Sequence, residues 1–234
     1  MKMTKIILIA FVFITAALNT AAQTIKFEGR EFDIANVKVS VVKLNGEKVL
    51  RVERNLNSLP FDVNNLSATV DEPTFVKLKN ITLDSGIIEV KVLSRLLKNA
   101  PDFARGFIGV AFRISDSNTK YESIYIRPMN VRVDDQVRRN HSIQYYSYPD
   151  YKFDRLRKES PERYESYADM EMNKWITMRI EVKDAQAKLF LDNNKQPSLI
   201  VNDLKHGADL SGAIALWVDI GTEGYFKDLK ITKY

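Results

Sequence analysis

The sequence predicts an all-β fold: a two-sheet antiparallel β-sandwich of the jelly-roll kind, with one long loop and at most a short helix. Three observations carry this. Many short segments alternate apolar and polar residues with period two. Clusters of Asp, Asn, Gly and Pro break them at short spacing, and no long segment repeats its apolar residues every 3.6 positions. Composition agrees. The 234 residues are 45% hydrophobic and 28% charged, ordinary values for a globular domain that leave no place for disorder or low complexity. The absence of cysteine excludes a disulfide framework, a zinc knuckle, an iron–sulfur cluster and a thiol nucleophile.

The first 22 residues read as a leader. Lys2 and Lys5 form a cationic start, Ile6 to Leu18 is an uncharged apolar stretch, and Thr20-Ala21-Ala22 supplies small residues before Gln23. That is the pattern of a cleaved secretory signal. No cysteine follows it, so a lipid anchor is excluded, and no later apolar run is long enough for an integral membrane segment. The expectation is a signal over 1–22, a single sandwich domain over 23–234, and a secreted or periplasmic location in a bacterium. Removing Lys2 and Lys5 lowers the formal charge of +5 by two. So mild a charge, without a clustered basic face, argues against nucleic acid as a partner.

In chain order, Val37 to Leu44 and Glu47 to Val52 form a hairpin around Asn45-Gly46, a pair that accepts the positive φ of a two-residue turn. Strands are then expected over 74–79, 86–93, 107–114, 121–127, 142–147, 175–183, 186–192, 198–201, 212–218 and 224–232. The strands nearest the termini are expected to lie side by side. A helical turn or two is expected near 161–168, with Ser160 as cap and Pro161 at the first helical position.

Alternation gives each strand a core row and an outer row. Ile88, Val90 and Val92 oppose Glu89 and Lys91. Ile108, Val110, Phe112 and Ile114 oppose Gly109, Ala111 and Arg113. Ile124 and Ile126 oppose Tyr121, Ser123, Tyr125 and Arg127, and Ile214, Leu216 and Val218 oppose Ala213, Ala215 and Trp217. If these strands share a sheet, its outer face combines small floor residues with Glu89, Arg113, Tyr125, Arg127 and Trp217. Such a face suits a sugar, because aromatic rings stack on C–H patches while charged groups bond hydroxyls. The alternative is that a loop covers Trp217 and makes a second small core.

Residues 121–167 hold eight of the ten tyrosines. Asp134, Asp135, Gln136, Val137, Arg138, Arg139, Asn140 and His141 lie among them, followed by Gln144 and Tyr146. Loops as long as 128–141 and 148–158 commonly carry function. Asp135, Arg138, Arg139, His141, Gln144 and Tyr146 are therefore candidate ligand-binding residues, against a structural loop packed down by tyrosines and ion pairs. No carboxylates are paired by spacing for glycoside cleavage, so no catalytic residue is assigned. With no His-x-His or Glu-x-x-His spacing, no transition-metal site and no cofactor are expected, while a calcium ion on loop oxygens stays open.

The run Asn173-Lys174-Trp175-Ile176-Thr177-Met178-Arg179-Ile180-Glu181-Val182, then Ala187 to Asn193, Ser211 to Trp217 and Phe226 to Ile231, resembles the closing strands of concanavalin A-like lectin/glucanase sandwiches. Among these it is most similar to the secreted bacterial 3-keto-disaccharide hydrolase and laminin-G-like group. The resemblance covers about 107–232 and implies a glycan as partner. It also implies two functions on one face: a carbohydrate-recognition protein, or a glycan-cleaving enzyme of the 3-keto-glycoside hydrolase type.

Overall fold

Asn45 and Gly46 have φ of 51° and 87°, as the tight turn between β3 (Val37–Leu44) and β4 (Glu47–Arg54) requires. This computed structural model describes residues 23–234; the leader expected over 1–22 lies outside the described residues. The other strands are β1 (Thr24–Phe27), β2 (Arg30–Ala35), β5 (Phe75–Leu78), β6 (Gly86–Leu96), β7 (Ile108–Ile114), β8 (Tyr121–Ile126), β9 (Ile143–Tyr148) and β10 (Glu165–Ser166). Then come β11 (Ile176–Lys183), β12 (Gln186–Leu191), β13 (Leu199–Val201), β14 (Ala213–Val218) and β15 (Thr222–Lys233). They form an eight-stranded sheet, β1-β2-β5-β14-β7-β8-β9-β10, and a seven-stranded sheet, β13-β12-β11-β6-β15-β4-β3. The described pairings are antiparallel, so the expected two-sheet sandwich is the fold. No described helix is long and apolar enough to cross a membrane.

Between the sheets lie the apolar rows that alternation identifies. Val76, Val110, Ile124 and Leu216 from one sheet, and Ile88, Val90, Ile180 and Val182 from the other, belong to one buried cluster. Stability is concentrated there, at about 25 cal/mol for each Å² of apolar surface removed from water.

Two expectations are corrected. Among the described residues three short α-helices form, α1 (Leu66–Thr69), α2 (Gln136–Asn140) and α3 (Phe153–Glu159), and none covers 161–168. Ser160 is the C-cap of α3 rather than the N-cap of a later helix, and Pro161 stops the helix there because it has no N–H to continue the ladder. The terminal strands β1 and β15 lie in different sheets. The β1–β2 hairpin reaches β15 at the sandwich edge, where Arg30 Nη1 donates to Leu229 O and Asp228 N donates to Glu28 Oε1 at 3.0 Å.

Candidate functional site

The register of the eight-stranded sheet places Phe75, Trp217, Gly109, Tyr125, Gln144 and Glu165 opposite one another across six strands. Gly109 separates the two large rings. A Cβ there would lie 2.6 Å from Tyr125 Cβ, and without one the Trp217 and Tyr125 rings approach to 4.9 Å between centroids. Tyr146, from the neighbouring rung, packs 5.8 Å from Tyr125 and 5.7 Å from Trp217. This face is not open. Trp217 is 0% exposed, because residues 55–74 fold over it: its Nε1 donates to Glu72 O at 2.9 Å, and Tyr121 Oη donates to Asp71 O at 3.3 Å. Of the two sequence readings of Trp217, the covered second core is the one that forms. A large ring flanked by small residues buries more apolar area under a loop than it does in water.

Where the cover is incomplete it leaves a cavity of about 260 Å³. One wall comes from Leu66, Val70 and Asp71 of the covering loop, another from Phe103, Arg105 and Phe107 before β7. Tyr125 and Arg127 form the floor, Asn130, Arg138 and His141 come from the turn and helix after β8, and Phe153 and Arg157 from α3. Asp219, just beyond β14, completes the lining.

Arg127 is buried and fully engaged. Its Nη2 donates to Tyr125 Oη (2.6 Å) and Gln144 Oε1 (3.2 Å), and its Nη1 to His141 O (3.0 Å) and Glu165 Oε1 (3.3 Å). Arg157 closes on the same carboxylate through Nε (3.0 Å) and Nη2, and its guanidinium lies 5.2 Å over the Phe153 ring. Burial lowers the His141 imidazole below its usual range despite Glu165 at 3.4 Å, so the ring is neutral at neutral pH. On the far side, the buried pair Arg54–Asp219 spans 2.6 Å. Burial, with Asp219 beside it, lifts the Asp71 carboxyl to about 7. Its Oδ2 accepts from Phe153 N at 2.9 Å.

The structure thus brings Tyr125, Arg127, Arg138 and His141 together on one cavity. Gln144 and Tyr146 support that cavity from below. Asp135 does not line this cavity, and its carboxylate caps α2 by accepting from Arg138 N at 3.1 Å. Arg139 faces away, donating to Tyr167 Oη at 3.2 Å. Two expected residues lie elsewhere. Glu89 belongs to the seven-stranded sheet and pairs with Lys230 at 3.1 Å in a solvated ladder of ion pairs, because alternation gives a residue its face but not its sheet. Arg113 is 0% exposed and holds together three turns through the carbonyls of Asp84, Asp184 and Gly207. Asp71, Phe103, Arg105, Phe107, Phe153 and Asp219 were not among the expected residues. The signal for Asp71 was the long unpatterned stretch between β4 and β5, open to the same loop-length argument as 128–158. Among the described residues, no group of three or more His, Cys, Asp or Glu side chains is arranged to hold a metal ion.

No protein-family model matches the chain, and no curated protein shows significant sequence similarity to it. Several solved structures align with the chain. The carbohydrate-binding module CBM66 from Bacillus subtilis aligns over 86% of this chain and 97% of its own, at 9% identity and a TM-score of 0.52. A candidate glycosyl hydrolase from Parabacteroides distasonis aligns over 85% and 94%, at 12% identity and a TM-score of 0.49. Galectin LEC-6 of Caenorhabditis elegans aligns over 66% and 91%, at 8% identity and a TM-score of 0.37. At such identities the likeness is one of architecture alone, the two-sheet antiparallel sandwich.

Proposed function

We propose that the protein is an exported carbohydrate-recognition protein that holds one sugar residue in the cavity over the eight-stranded sheet. The observation that carries this is the cavity's two-sided chemistry. Phe103, Phe107, Tyr125 and Phe153 offer ring faces, while Asp71, Asn130, His141, Arg105 and Arg138 offer donors and acceptors. A sugar ring has apolar C–H faces and a polar rim, so it is matched on both counts. The fold shared with a carbohydrate-binding module supports the reading, as does the leader-like start of the sequence.

One observation favours a second reading, cleavage of a glycan at the same place. Asp71 is a buried carboxyl that lines the cavity and exchanges its proton near neutral pH, as a general acid must. The test is a glycan array followed by calorimetry on wild type, Phe107→Ala and Phe153→Ala, each checked for its melting temperature. Each variant should weaken binding about ten-fold or more. A glycan bound equally by wild type and both folded variants would place the site elsewhere. Glycan cleavage that Asp71→Asn abolishes while binding persists would establish the second reading.

A further inference from the structure

The four arginines of the cavity are not equivalent. Arg127 and Arg157 share Glu165, and the Asp219 carboxylate is taken by Arg54. Among the described residues, no carboxylate lies within ion-pair distance of Arg105 or Arg138. Arg105 Nη1 reaches only main-chain carbonyls, those of Asp102 and Ala104. Arg138 Nε is buried and has no hydrogen-bond partner among the described residues. An unpaired donor removed from water costs free energy, and a charged one costs more. Burial and the proximity of Arg138 and Arg127 both depress the Arg105 guanidinium, as expected where neighbouring cations lack a counter-charge. The carboxyl that could compete inside the cavity is Asp71, and below about pH 7 it is held protonated, a hydroxyl donor rather than an anion.

We propose that Arg105 and Arg138 select a sugar that carries an oxyanion, a uronic-acid carboxylate or a sulfate ester, and seat that group between their guanidiniums. The planar fork of each guanidinium matches both groups, and charge-assisted bonds of this kind are about twice as strong as neutral ones. The neutral part of the sugar lies against Phe107 and Phe153. This inference rests on the sugar-binding reading above and narrows its ligand.

The experiment is calorimetry of the full chain from Gln23 against three oligosaccharide sets matched in length: neutral, uronate-containing and sulfated. The anionic sets should bind more tightly, and raising salt from low to physiological strength should weaken them while sparing the neutral set. Arg105→Gln and Arg138→Gln should each weaken anionic binding about ten-fold, Arg138→Lys should retain part of it, and the double variant should lose the preference. The better-bound anionic set identifies the group. Neutral saccharides binding as tightly as charged ones, or a preference that survives in the folded double variant, overturns this inference and leaves the sugar site standing. Binding of no saccharide overturns both.

Discussion

Asp71 sits where three separate parts of the chain meet. Its N–H donates to Asp219 Oδ2 at 2.9 Å, its carboxyl accepts from the first residue of α3, and its carbonyl accepts from Tyr121. Its φ of 54° lies in the left-handed region, which Asp and Asn tolerate better than most residues. Asp219, Arg127 and Lys152 are the charges that face it, with burial the dominant influence. The folded-state value of about 7 lies above the ordinary 3.8, so the folded protein holds this proton more tightly than the unfolded chain. The contribution is complete below about pH 4 and is lost as pH rises through 7. Asparagine accepts the same bond from Phe153 and cannot ionise. Asp71→Asn should therefore gain stability relative to wild type by up to about 1.4 kcal/mol per pH unit between pH 4 and 7. Thermal melts at several pH values check this, and a constant difference refutes it. None of this was visible in the sequence, where Asp71 is one acid in an unpatterned stretch. Trp217 was half visible: alternation gave the direction of its side chain, and nothing local to it reveals what folds on top.

The strands were more legible than the segments between them. Core rows follow from period-two patterning, and the β3–β4 turn follows from Asn-Gly, because both are local. In the sequence Pro161 reads as a helix start, and in the fold it marks a helix end; the two uses look alike until the chain on either side is placed. The floor of the cavity shows how much one position in an element can decide. Gly109 is flanked by Trp217 and Tyr125 in the register, and an added Cβ would lie 2.3 Å from Ile124 O as well as 2.6 Å from Tyr125 Cβ. Main chain cannot yield as a flexible side chain can. Gly109→Ala should cost about 1–3 kcal/mol through overpacking, read as a lowered denaturant midpoint, and should weaken any ligand that needs the Tyr125 floor. An unchanged midpoint would show that β7 and β8 have slack the packing does not suggest.

Taken as a whole, the molecule treats its two outer faces differently. The seven-stranded sheet meets water through ion pairs such as Arg51–Glu53, Arg51–Glu223 and Lys230–Glu89, each worth little singly. The eight-stranded sheet has a largely buried outer face under chain drawn from 55–74, 97–107 and 128–163. The sandwich was legible because sheet patterning is distributed over the whole chain. The cavity was legible only in part, because residues from four separate segments build it and their convergence is a property of the closed fold. The first strand begins at Thr24, so a chain starting at Gln23 keeps every described strand. Export should yield a protein whose first residue lies near Gln23, and recombinant protein begun there should melt as the exported form does. Mass spectrometry of the secreted or periplasmic protein decides, and a species retaining Lys2 counts against export processing.

The burial of Trp217 beneath the 55–74 segment has an optical consequence. Trp175 and Trp217 are the two indoles of the chain, and Trp217 lies within 6 Å of the Tyr125 and Tyr146 rings. Light absorbed by those tyrosines will pass to Trp217 and emerge as its emission, blue-shifted while the indole stays dry. Lifting the 55–74 cover would wet that indole and redden its glow. The protein therefore carries its own lamp for watching whether that cover opens when a ligand enters.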